Sequence, residues 1–145
     1  MNVLRQYEEA DVAGIWAALV AQLAGDGIVV EGTCDEVGRR ICWVALDADG
    51  PRTLTFAARV ELLESPGLLA ERLPKALVHR NVDGEPIHAF LAAWDRAWAA
   101  NPGRPARTRW ALAAEALAET GWRVGRNPAR WRQGELTVAW RDVAP

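Results

Sequence analysis

The sequence predicts an α+β fold, with helices covering one face of an antiparallel sheet, and three observations carry that expectation. Apolar residues recur at helical spacing near the N-terminus and again through the middle of the chain. Three β-type runs separated by turn residues lie between those two helical regions, and a β-type pattern returns at the C-terminus.

In the first segment Val12, Ile15, Trp16, Leu19 and Leu23 fall three and four residues apart, which predicts an amphipathic helix of about five turns ended by Gly25-Asp26-Gly27. Residues 28–30, 40–46 and 53–62 follow as three strands of an antiparallel meander, with turn chemistry at 35–38 and 47–51. In the third run Leu54, Phe56, Ala58, Val60 and Leu62 alternate with Thr53, Thr55, Ala57, Arg59 and Glu61, the period of a strand with one buried face.

Ser65-Pro66 offers a capping hydroxyl and a first-turn proline, opening a helix through Leu68, Leu69, Leu73 and Leu77 that Pro74 breaks. Pro86 starts another, on which Ile87, Phe90, Leu91, Trp94 and Trp98 form one stripe. It ends in the Asn-Pro-Gly-Arg-Pro loop 101–105, the place for a hinge. A third helix over about 106–119 turns Trp110, Ala113 and Leu117 inward, and Gly121 stands where a C-terminal cap belongs. A C-terminal β-hairpin then completes or flanks the sheet: Trp122 to Val124 begins it, Trp131 and Arg132 lie within it, and Leu136, Val138 and Trp140 alternate inward on its last run. We expect one domain over 1–145, because a separate 40-residue C-terminal unit would bury too little to stand alone.

Half of the residues are hydrophobic and a quarter charged, which argues against global disorder. No basic-then-apolar leader pattern opens the chain, and no apolar stretch approaches the ~20 residues of a membrane span, so the expectation is a cytoplasmic protein without a membrane partner. Cys34 and Cys42 flank the first turn of the meander; a hairpin centred there brings them opposite one another, and a one-residue change of register sends them to opposite faces. We read them as buried thiols, with no metal set around them and no cofactor expected.

The catalytic inventory is thin. Ser65, the sole serine, sits where a helix cap explains it, and no glycine-rich phosphate loop or two-histidine zinc helix occurs. His79, Asp83, Glu85 and His88 form the densest group of acid–base or metal-binding side chains, but helix-end and turn chemistry is the better account of them.

Charge is divided along the chain. Residues 1–95 hold eight Lys/Arg against fifteen Asp/Glu, a net −7, whereas residues 96–145 hold nine against four, a net +5. Six of the eight tryptophans stand at or beyond Trp94, beside that excess of arginine. Arginine forks and indole faces suit binding better than catalysis. Trp94, Trp98, Trp110 and Trp140 follow core phases, but Trp131 is bracketed by Arg130 and Arg132 and is the candidate exposed anchor. The expected function is therefore a non-catalytic protein-interaction or self-association module whose binding surface is Arg123, Arg126, Arg130, Trp131 and Arg132, and whose partner is another protein or its own copy. The alternative is a nucleic-acid-binding protein, winged-helix-like or phosphate-directed, using the same basic third.

Overall fold

The computed structural model describes residues 2–145. Five α-helices, α1 (Glu9–Val20), α2 (Lys75–Val78), α3 (Pro86–Ala99), α4 (Ala106–Glu119) and α5 (Pro128–Arg132), accompany four strands, β1 (Val29–Cys34), β2 (Arg40–Asp47), β3 (Gly50–Ala58) and β4 (Glu135–Ala139). The strands form one antiparallel sheet in the order β1-β2-β3-β4. This is the expected α+β arrangement, with the last strand beside the meander rather than in a hairpin of its own.

The meander forms where the turn chemistry places it. Asp35 Oδ1 accepts from the backbone N–H of Arg39 and, at longer range, of Arg40, closing the first turn, and Gly50 occupies the second at φ +102°. Register then sets the faces: Thr33, Cys42, Phe56 and Leu136 lie in one cross-strand row, and Glu31, Val44, Leu54 and Val138 in the next. The apolar members of both rows are fully buried.

Helices cover that face through aromatic rings. Phe56 meets Trp94 of α3 edge-on at 5.4 Å, Trp94 meets Trp110 of α4 at 4.7 Å, and Phe90 meets Trp122 at 5.2 Å. The stripe expected on α3, Ile87, Phe90, Leu91, Trp94 and Trp98, is buried throughout, as are Trp110, Ala113 and Leu117 of α4. At the far end α1 buries Val12 and Trp16, and Trp16 packs edge-on against Trp140 at 5.5 Å. Buried aromatic pairs of this geometry add about 0.5–1.5 kcal/mol each beyond their area.

Four expectations are corrected. The first helix stops at Val20, about three turns long, because the chain then passes into tight turns before Gly25, and Leu19 on its last turn is exposed. The third strand ends at Ala58, not Leu62, because residues 60–62 tighten into a 3₁₀ turn and Leu62 points to solvent. Ser65 makes no side-chain cap; Pro66–Arg72 is a 3₁₀ helix, which breaks at Pro74 as the sequence predicts. The C-terminal hairpin is absent, since Val124 makes only an isolated bridge to Val138 and α5 intervenes. Asn127 drives that last difference, its side chain accepting from Arg130 N–H while Pro128 sets the first turn.

Candidate interaction surface

Trp131 is the first site residue to be relocated. It lies on α5, is 7% exposed, and its indole N–H donates to Gly125 O at 3.0 Å, so it is a core residue and not an exposed anchor. The sequence places it within a hairpin, bracketed by arginines, whereas a short capped helix turns its ring inward.

The arginines around it do not form one patch. Arg123 is held by Asp142, its Nε 2.8 Å from Oδ1 and its backbone N–H 2.8 Å from Oδ2. Burial raises the Asp142 carboxyl, and the Arg123 hydrogen bonds and charge outweigh that effect to hold it below the usual range. Arg130 grips both oxygens of Glu135 at 2.6 and 2.8 Å. Arg126 lies beside Arg123 in a shallow depression along the outer edge of β4, while Arg132 borders a separate groove of about 680 Å³ between α4 and α5. Arg107 at that groove pairs with Glu61 at 2.6 Å, and Arg109 stacks over Trp98 at 4.1 Å. Much of the basic surplus is thus satisfied inside one molecule.

The acid–base groups are also separated. The His79 ring nitrogen stands 3.3 Å from Lys75 Nζ, and His88 lies 3.0 Å from Asp83, so the two histidines do not converge. Among the described residues no group of three or more His, Cys, Asp or Glu could hold a metal ion. Cys42 faces the core, fully buried, and burial pushes its thiol well up. Cys34, one strand phase away, lies on the other face of the sheet, and both thiols are free.

That other face is the feature sequence reasoning missed. Its rows read Val30, Ala45, Thr53, Ala139; then Gly32, Trp43, Thr55, Thr137; then Cys34, Ile41, Ala57, Glu135. The one ionisable carboxylate among them, Glu135, is already paired with Arg130. Of the eight tryptophans, seven belong to the core or pack against it, and Trp43 alone does not. Val30, Ile41, Ala45, Ala57 and Ala139 stand outside that core as well. A two-layer α+β fold ordinarily turns a polar sheet face to water. Here Val30 is 51% exposed and Ile28 just before β1 is 64% exposed, while at the centre Trp43 is half-buried and Thr55 beside it is buried. The signal was present in β2, where Ile41, Trp43 and Ala45 are as apolar as Cys42, Val44 and Leu46, the mark of a strand covered on both faces.

No helix among the described residues is long and apolar enough to cross a membrane. Compared with known proteins, the chain matches no family model, no curated protein and no solved structure.

Proposed function

We propose that this chain is a non-catalytic protein-interaction module that binds another polypeptide through the open face of its sheet, centred on Trp43. The observation that supports this most is the placement of Trp43, the one indole outside the core, in a sheet face whose single carboxylate is already paired. Aromatic side chains on such surfaces supply much of the anchoring energy of interfaces. The non-catalytic part of the reading rests on the dispersal of the chemistry-bearing side chains: each histidine pairs locally, and the buried thiol is sealed in the core.

The C-terminal arginines offer less support than they did as a sequence. Arg107, Arg123 and Arg130 are each committed to a carboxylate, and a phosphate would have to displace it. Nucleic-acid binding remains the competing outcome of the test.

Cys34 provides that test, because it is carried on the open face while Cys42 is buried. Its alkylation rate is measured in a fresh extract of producing cells and in dilute purified protein, with and without nuclease. Slow alkylation in extract that survives nuclease and is lost in Trp43→Thr supports the reading. Equal rates in extract and in dilute protein overturn it, and protection abolished by nuclease transfers the face to nucleic acid.

A further inference from the structure

We infer that the partner segment is an acidic amphipathic helix, its apolar stripe laid along the strands over Trp43 and Ile41 and its carboxylates set on arginines at the two ends of the face. This inference rests on the interaction-module reading and adds the chemistry of the partner.

The border of the face carries it. Three exposed arginines stand there, Arg39, Arg59 and Arg126, and among the described residues none of them has a carboxylate in ion-pairing range. Arg126 borders the face on the β4 side, in the depression that Thr53, Thr137 and Ala139 help to line. Arg39 and Arg59 are joined across the end of β2 and β3, the Arg59 N–H donating to Arg39 O at 2.8 Å, in the same strand phase as Ile41 and Ala57. Like charges set directly across a sheet repel, and a bound anion relieves that repulsion. The carboxylates of this chain do not provide one. Glu135 is held by Arg130, and Asp35 by Arg40 and by backbone N–H groups of its own turn, while Glu36 and Glu64 are exposed and reach no arginine. An apolar centre with a basic rim is complementary to an apolar segment with acidic flanks.

Spacing selects a helix. Rows on one face of a strand recur about every 6.8 Å, so the Arg39 and Arg59 row lies roughly 14–20 Å from the rows of Thr137 and Ala139 that Arg126 borders. At a rise of about 1.5 Å per residue that separation is about three helical turns. One helix, about 10 Å across, fits the centre of four strands about 4.8 Å apart, and helices already cover the opposite face in the same way. A nucleic-acid strand suits the face less well, because its charge is continuous, whereas these arginines stand at separate ends with aliphatic Ile41 and Val30 between them and the β1 edge.

The test reads Cys34 alkylation in two settings. In extract, with and without nuclease, the protection of Cys34 is expected to fall about fivefold or more in Arg126→Glu and in Arg39→Glu/Arg59→Glu, to weaken with added salt, and to stay at the parental level in Arg104→Glu, a charge reversal on the exposed 101–105 loop. With purified full-length protein the probe is a helical peptide of about 14 residues, leucine along one face and glutamate in its first and last turns, set against its twin with lysine for glutamate. The glutamate peptide is expected to protect Cys34 and the lysine peptide to leave it reactive. Protection in extract that ignores both charge reversals, or equal effects of the two peptides, overturns the acidic helix and leaves the module reading standing. Absence of protection in parental extract removes both readings, and protection abolished by nuclease gives the face to nucleic acid.

Discussion

Glu31 occupies a core position it does not suit, and replacing it with valine should stabilise the protein in a pH-dependent way. The residue is 9% exposed on the helix-covered face of β1, across from Val44, and neither carboxylate oxygen has a hydrogen-bond partner. Loss of hydration raises its carboxyl pKa above the ordinary glutamate value, with the Arg5 charge opposing in part. An uncompensated buried polar or charged group costs about 1–3 kcal/mol, and a valine there adds apolar burial between Val29 and Thr33. Glu31→Val should therefore gain about 2–3 kcal/mol at neutral pH, or about 4–12 °C in Tm for a chain of this size.

The sign follows from linkage. A folded-state pKa above the unfolded one means that the folded protein binds this proton more tightly, so the parent loses stability as pH climbs from the unfolded value through the folded one. Valine does not titrate, so the advantage of the variant is smallest near the unfolded glutamate value, pH ~4, and levels off only above the raised folded one. Urea unfolding followed by far-UV circular dichroism across that range measures it. An advantage of the same size at both ends, or a less stable variant at neutral pH, would show that the carboxylate is satisfied and refute the reasoning.

Gly134 stands at φ +85°, and a Cβ there would run into Ala58 O, so Gly134→Ala should cost about 1–3 kcal/mol in chemical denaturation. Arg123→Ala strips the partner from the Asp142 side chain, which is 7% exposed, and should cost about 1–3 kcal/mol at neutral pH. Because Arg123 holds that carboxyl low, the stabilisation is present above the unfolded aspartate pKa and is lost as pH falls through the folded one. The difference from the parent therefore fades as pH drops below the unfolded aspartate value, as unfolding curves at several pH values would show. Trp131→Ala should lower stability by about 3–5 kcal/mol and, where a destabilised but folded population remains, leave Cys34 protection unchanged. Thiol titration of dilute folded protein should count one reactive cysteine, the second appearing only on unfolding.

Element type and buried phase were legible wherever apolar spacing was long and regular. The α3 stripe, the α4 stripe, Leu54 and Phe56, and Leu136 with Val138 all face the core as the periodicity predicts. Short segments were harder. Asn127-Pro128 carries the same cap-and-proline signal that Ser65-Pro66 does, yet five residues of α5 are too few to show a period beside a longer β-type pattern. The site was misplaced for a different reason. Arginine and tryptophan were counted along the chain, but a linear tally does not register that the carboxylates of Asp142 and Glu135 return beside Arg123 and Arg130, or that Trp131 points inward. Trp43, far from that cluster in sequence, could be found only by asking why β2 is apolar in both of its phases.

The position of β4 sets the order in which the molecule can be completed. β1, β2 and β3 pair with their immediate neighbours in sequence, but β3 finds its second partner only at residues 135–139, so Thr53 waits for Ala139. Contacts that close so long a stretch of chain form late, and the meander can assemble early. During synthesis the first three strands are therefore made well before the strand that finishes the sheet, with one β3 edge unpaired and the bare Trp43 face beside it. The interval between making β3 and making β4 is when a newly made chain is most exposed to sticking to its siblings, and a chain cut off before residue 135 never leaves that state.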